Sequence, residues 1–109
     1  MPFAVAIPAA LRGRWGLTAA DCTSDRGDSK GLLEITGTEL RFYESRGTLG
    51  AVTESSESRI AGEFDFEGEG QTWQRLVILE AIDGGRTLTR REAGDGATKD
   101  PLRYRRCAG

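Results

Sequence analysis

The side chains that most often carry out chemistry occur in this sequence without the partners that would activate them. The 109-residue chain contains no histidine, the commonest general base and metal ligand at neutral pH. Its serines therefore lack an imidazole that would deprotonate a nucleophilic hydroxyl. The two cysteines, Cys22 and Cys107, show no metal-ligand spacing. We therefore predict no catalytic residue, no metal and no cofactor, and a protein that is not an enzyme.

Carboxylate side chains are the next candidates for a functional site. Four of them occupy alternate positions along or just beyond one predicted strand: Glu63, Asp65, Glu67 and Glu69. Alternate residues of a strand share a face, so one interpretation is a cation site or an acidic patch for a basic partner. The favoured interpretation is a solvated outer face opposite Phe64 and Phe66. A second acidic group, Asp21, Asp25 and Asp28, lacks the ligand pattern of a calcium loop.

Two aromatic residues and one arginine are the candidates for binding. Tyr43, Trp73 and Arg75 belong to residue types that are enriched at the centres of protein interfaces. Trp73 follows the predicted turn at 68–70, which places it near the end of a strand. We predict that these three residues bind a ligand or a partner. The alternative is that Tyr43 and Trp73 are ordinary core or rim residues.

The elements that must position these residues are strands, because alternating apolar and polar residues are repeatedly interrupted by turn residues. Ile60, Phe64 and Phe66 fall on one face of the clearest strand and fix its register. The run at 76–79 is apolar on both faces, which predicts that both faces are covered. Eight strands are predicted, at about 13–18, 31–36, 39–45, 48–55, 58–67, 72–81, 86–92 and 102–107.

Eight strands in an up-and-down order predict a closed antiparallel β-barrel. Residues 1–12 are predicted to form an arm, and residues 13–109 a single barrel domain. Its interior is expected to be filled by apolar side chains: Phe42, Phe64, Phe66, Leu76 and Ile78. First and last strands would pair, which brings Cys22 near Cys107. We expect one disulfide, worth about 4 kcal/mol by chain entropy; the alternative is two free thiols.

Composition limits the partners and the compartment. The net charge of −2 gives no electrostatic reason to expect binding to nucleic acid. No apolar run reaches the length of a membrane-spanning helix, about 18 residues. A disulfide implies an oxidising compartment, so we expect a periplasmic or secreted monomer. Residues 1–6 are too short and lack the basic start of a signal peptide, so a signal is expected to have been removed.

The first and last predicted strands resemble those of the calycin superfamily, which includes lipocalins and fatty-acid-binding proteins. The resemblance depends on Gly13 and Trp15 in the first strand and on Arg105 and Arg106 in the last. It implies that Trp15 packs across a closed end of the barrel under a guanidinium from Arg105 or Arg106. The cation–π contact would contribute about 0.5–2 kcal/mol. This role is structural.

Within this superfamily, the short length of the chain favours two groups of compact bacterial periplasmic barrels, the metalloprotease inhibitors and the lysozyme inhibitors. The opening Leu11, Gly13 and Trp15 after an arm resembles compact periplasmic metalloprotease inhibitors, whereas the Ser-Gly-x-x-Tyr segment of periplasmic lysozyme inhibitors is not found. The chain also resembles small exported proteobacterial proteins of unknown function, at 12–16, 42–45, 68–73 and 104–107. Two functions are therefore open: an exported binding protein that inhibits a hydrolase, and a carrier of a small apolar ligand. A structural envelope protein is a third.

Overall fold

Eight strands form one closed barrel, with the apolar face of each strand turned toward the interior. Each strand pairs with its sequence neighbours, and β8 pairs with β1. This computed structural model describes residues 6–23, 30–93 and 100–107. All pairings are antiparallel, which confirms the predicted fold class. The strands are β1 (Gly13–Gly16), β2 (Leu32–Ile35), β3 (Glu39–Arg41), β4 (Arg46–Ser55), β5 (Arg59–Gly68), β6 (Gln71–Ile82), β7 (Thr87–Ala93) and β8 (Leu102–Arg106).

Helical structure is limited to short segments within the described ranges. The 3₁₀ helix Ala9–Leu11 precedes β1, α1 (Ala19–Thr23) follows it, and a second 3₁₀ helix, Asp83–Gly85, joins β6 to β7. The sequence predicted a polar loop at residues 21–29. Residues 21–23 instead belong to α1, so the prediction was wrong for the first three residues of that loop. Within those ranges, no helix is long and apolar enough to cross a bilayer.

The boundary between β3 and β4 differs from the prediction of a turn at Arg46 and Gly47. The turn comes earlier, because the backbone N–H of Phe42 donates to the carbonyl of Ser45 at 2.9 Å. Gly47 lies inside β4, opposite Phe66 in β5. A Cβ at this position would come within 2.7 Å of Cε1 of Phe66. Glycine is therefore needed here for close packing inside the barrel rather than for a turn.

The interior of the barrel contains a different part of the β6 run than predicted. Phe64 faces Arg75 and Gly62 faces Val77 in the register of β5 and β6. Val77 and Leu79 therefore point inward and are fully buried. Leu76 and Ile78, which were predicted to fill the interior, lie on the outer face and are half-buried. The prediction was wrong because four consecutive apolar residues do not indicate which parity faces inward.

One end of the barrel is closed by the arm. Ile7 and Leu11 are fully buried in the core, and the backbone N–H of Ile7 donates to the carbonyl of Gly37 at 2.8 Å. Trp15 is also fully buried, and its indole Nε1–H donates to the carbonyl of Leu11 at 2.9 Å. The described part of the arm is thus seated in this chain's own barrel.

Arg106, rather than Arg105, covers the ring of Trp15. Its Cζ lies 4.1 Å from the centroid of the ring. Its three guanidinium nitrogens donate to the carbonyls of Ala10, Arg12 and Gly85 at 2.7, 3.0 and 2.8 Å. Gly13 has a φ of 122°, and a Cβ there would come within 3.0 Å of Nη1 of Arg106.

The predicted disulfide is present. Cys22 of α1 and Cys107 after β8 are joined, with their Cα atoms 5.1 Å apart. The backbone N–H of Cys107 also donates to the carbonyl of Arg14 at 2.9 Å. The bridge therefore ties α1 to the seam between the first and last strands. This disulfide is compatible with an exported protein.

Candidate binding site at the open end of the barrel

A recess opens at the end of the barrel opposite the Arg106 seal. β6 starts at this end and finishes beside the helix Asp83–Gly85, whose last carbonyl Arg106 contacts. The recess has a volume of about 370 Å³. Its walls come from the inner faces of β5, β6 and β7 and from the turn after β3. Seven residues line it: Phe42, Ser45, Phe66, Trp73, Arg75, Arg90 and Glu92.

Aromatic side chains form one wall of the recess. The rings of Phe66 and Trp73 are stacked, with centroids 5.6 Å apart and an interplanar angle of 5°. Phe42 lies on the other side of Phe66, at a centroid distance of 6.1 Å. Because Phe66 and Trp73 face each other across β5 and β6, the strand register itself creates this wall.

Three charged residues lie on the inner face of the barrel beside the aromatic wall. Arg75 is opposite Phe64, while Arg90 is opposite Leu79 and Glu92 is opposite Val77. Because Phe64, Leu79 and Val77 are fully buried, these pairings place the three charges toward the interior. Their side chains are exposed by only 19% for Arg75, 15% for Arg90 and 20% for Glu92.

Arg90 is held by the residues around it. Its Nη1 forms a hydrogen-bonded ion pair with Oε2 of Glu92, and its Nε donates to the hydroxyl of Tyr104 at 3.1 Å. Its Cζ lies 4.8 Å from the ring centroid of Phe42 and 5.8 Å from that of Tyr104. Burial raises the pKa of the Tyr104 phenol, although the positive charge of Arg90 opposes this effect. The phenol is therefore neutral near pH 7 and accepts the hydrogen bond from Arg90.

Arg75 is much less engaged. Within the described part of the chain, its side chain makes one polar contact, an ion pair in which Nη1 lies 3.7 Å from Oε1 of Glu92. That distance is too long for a good hydrogen bond. A guanidinium has five N–H donors, so most of the donors of Arg75 are available to a ligand in the recess.

The structure brings together two of the three residues predicted to bind. Trp73 and Arg75 are neighbours on the inner face of β6 and both line the recess. Tyr43 does not line it. Tyr43 lies in the turn between β3 and β4, is 40% exposed and lines a separate groove of about 660 Å³ on the rim. This rim groove, between the turns at 41–46 and 67–72, shares Phe42 and Ser45 with the recess.

Sequence reasoning missed Arg90 and Glu92, which line the recess, and Tyr104, which accepts a hydrogen bond from Arg90. A signal for the first two was available. Leu88 is fully buried, and alternation from an inward Leu88 places Arg90 and Glu92 on the same inner face. They were missed because charged residues in a strand are normally assigned to the solvent face.

Several carboxylates of the two acidic groups have partners within the described part of the chain. Glu67 is ion-paired with Arg46, and Oδ1 of Asp65 accepts a hydrogen bond from Nε2 of Gln74 at 2.7 Å. Asp21 accepts hydrogen bonds from the backbone and hydroxyl of Thr18, while residues 25 and 28 lie outside the described ranges. Among the described residues, no group of three or more histidine, cysteine or acidic residues is placed to hold a metal ion.

Comparison with known proteins finds no match: no family model, no curated protein and no solved structure matches this chain. The eight-strand antiparallel barrel is compatible with a calycin-like fold. A functional assignment therefore depends on the chemistry of the recess and the rim groove.

Proposed function

We propose that this protein is a non-enzymatic binding protein whose recess takes a small ligand with an apolar or aromatic body and one acidic group. The observation that carries this proposal is the state of Arg75. Its guanidinium lies inside the barrel beside the aromatic wall, and its one polar contact with the described residues is the 3.7 Å ion pair with Glu92. A carboxylate placed there would form two parallel hydrogen bonds with the guanidinium.

The charge balance of the recess supports an anionic ligand. Two guanidinium groups, Arg75 and Arg90, share one carboxylate, that of Glu92. The described residues that line the recess thus carry an excess of one positive charge, in a place that is largely shielded from water. Partly buried charge without a close partner is unfavourable, so a ligand with a single negative charge would stabilise this arrangement.

The volume of the recess limits the size of the ligand. Ligand pockets span about 300–1,000 Å³, and the recess, at about 370 Å³, is at the small end of that range. Fully buried side chains fill the barrel below it, among them Phe64, Val77, Leu79 and Leu88. A long acyl chain does not fit, whereas an aromatic acid or a short acyl acid does.

We expect phenylacetate or octanoate to bind and the corresponding amides, phenylacetamide and octanamide, not to bind. Replacing Arg75 with glutamine removes the charge and most donors, so the dissociation constant of a bound acid should rise about 10- to 100-fold. Isothermal titration calorimetry measures this directly. Arg41→Gln is the matched control, because Arg41 lies on the outer wall and pairs with Glu39.

Two results would overturn the proposal. If neither acid binds the unmodified protein, the recess does not take this class of ligand. If the acids and amides bind with equal affinity, or if Arg75→Gln and Arg41→Gln lose the same affinity, the guanidinium of Arg75 does not recognise the acidic group.

A second function, inhibition of a hydrolase, is favoured by Tyr43. Among the described residues, Tyr43 is one of two large hydrophobic side chains that are exposed, and tyrosine is enriched among the residues that dominate interfaces. Tyr43 lies on the rim groove, which is wide and open enough to receive part of another protein. In this proposal the protein is exported and calycin-like, in keeping with its disulfide and barrel.

We expect Tyr43→Ala to weaken inhibition of the target hydrolase by about tenfold or more if Tyr43 is an interface anchor. The assay is residual activity of secreted proteases and lysozymes titrated with the protein. Leu17→Ala is the matched control, since Leu17 is 39% exposed but does not line the rim groove. Absence of inhibition across the panel, or an equal loss in both variants, would contradict this proposal.

A further inference from the structure

A depression lies on the outer wall of the barrel, away from the recess and the rim groove. It has a volume of about 300 Å³. In the strand register, Arg59, Glu80, Thr89 and Arg103 form one row across β5 to β8, and Ile78 and Arg91 form the next row. Seven residues line the outer depression: Arg59, Ile78, Glu80, Thr89, Arg91, Pro101 and Arg103.

The arginines around the outer depression fall into two groups. Arg59 is neutralised, because its Nη1 pairs with Glu80 at 3.0 Å and its Nε pairs with Glu54 at 2.6 Å. Arg91 and Arg103 are both exposed, and in the described part of the chain neither side chain has an ion pair or a hydrogen bond. The carboxylate that lines the depression, Glu80, is therefore already used.

The remaining outer-wall arginines near β3 and β4 behave differently. Arg41 pairs with Glu39, and Arg46 pairs with both Glu39 and Glu67. Among the described residues, the side chains of Arg14, Arg86 and Arg105 also have no ion pair or hydrogen bond, so what sets Arg91 and Arg103 apart is that they border the same cavity. Arg91 and Arg103 border it from the neighbouring strands β7 and β8. Thr89 is beside both of them, and Ile78 of β6 lies on the other side of Arg91.

We propose that the outer depression binds a phosphate group, either free or carried by a larger molecule. Two guanidinium groups can each present parallel N–H donors to one phosphate, whereas the Thr89 hydroxyl already donates to the carbonyl of Glu80 at 3.5 Å. Bringing a phosphate between Arg91 and Arg103 relieves the repulsion between their like charges. The site is on the opposite side of the barrel wall from the recess, so it is independent of the proposed acid-binding function.

The test is a titration of the protein with inorganic phosphate at constant ionic strength, followed by amide shifts in two-dimensional NMR. Shifts are expected at residues 89–91 and at residues 102 and 103. The double variant Arg91→Gln, Arg103→Gln should weaken binding by about tenfold or more, the loss expected for charged hydrogen bonds. The matched control is Arg41→Gln, Arg46→Gln, which removes the same charge from exposed positions whose guanidinium groups are already paired.

The proposal is overturned if the unmodified protein shows no such shifts, or if the two double variants lose the same affinity, since net charge alone would then explain the binding. Sedimentation with phosphatidylglycerol vesicles distinguishes the sources of phosphate. Vesicle binding that Arg91→Gln, Arg103→Gln abolishes and the control keeps assigns a lipid headgroup. Phosphate binding without vesicle binding assigns a small soluble phosphate compound.

Discussion

Replacing Trp15 with alanine is expected to lower the free energy of unfolding by about 3–5 kcal/mol. Trp15 is fully buried, so its removal leaves a cavity at the closed end of the barrel. The carbonyl of Leu11 loses its hydrogen bond from the indole, and the guanidinium of Arg106 loses the ring beneath it. A small domain has a total stability of about 5–15 kcal/mol, so this loss is a large part of the whole. Urea unfolding followed by circular dichroism measures it.

Trp15→Phe is the control that separates the ring from its N–H group. Phenylalanine keeps an aromatic ring under Arg106 but cannot donate to the carbonyl of Leu11. Its cost is therefore expected to be smaller, about 1–3 kcal/mol. A Trp15→Ala protein that unfolds at the same urea concentration as the unmodified protein would contradict the assignment of Trp15 to the seal.

Removing the disulfide is the second change with a large expected effect. The double variant Cys22→Ser, Cys107→Ser is expected to lose about 2–5 kcal/mol of stability. The bridge joins residues 85 positions apart and restricts a long loop of the unfolded chain, which is why its removal favours unfolding. Thermal unfolding of the oxidised protein and of the variant gives the difference.

The control for this prediction is the reductant itself. Dithiothreitol should lower the melting temperature of the unmodified protein toward that of the double variant and leave the variant unchanged. If the reduced protein and the double variant unfold at the temperature of the oxidised protein, the bridge contributes no stability.

Much of the fold could be predicted because its signals are local. Alternation around Phe64 and Phe66 gives the register of β5, and turn residues at 68–70 and 83–85 separate the strands around it. The pairing of Cys22 with Cys107 followed from closing the barrel. The parity of the run at 76–79 could not be predicted, because it depends on which residue of β6 pairs with Phe64, a contact between strands rather than a pattern within one.

The site was harder to predict than the fold. Trp73 and Arg75 were predicted, together with Tyr43, because their residue types are enriched at the centres of interfaces and because Trp73 follows a turn. Arg90, Glu92 and Tyr104 come from two other strands, and a charged group inside a barrel is stable only with partners that the sequence does not reveal. Tyr43 lies in the turn between β3 and β4, where the backbone reverses direction between Phe42 and Ser45. Phe42 and Ser45 line the recess, whereas Tyr43 lies on the rim.

The seam between β1 and β8 has a consequence for aggregation. In the described strands the seam contains two residue pairs, Trp15 with Arg106 and Gly16 with Arg105, and so is as short as the contact between β2 and β3. If it opened, two unpaired strand edges would be exposed, and such edges pair readily with other molecules. Arg106 belongs to β8, and its guanidinium donates to the carbonyls of Ala10 and Arg12, just before β1, and of Gly85, just before β7. It therefore links the two strands of the seam. The same contacts that close the barrel therefore protect the protein from joining its neighbours edge to edge.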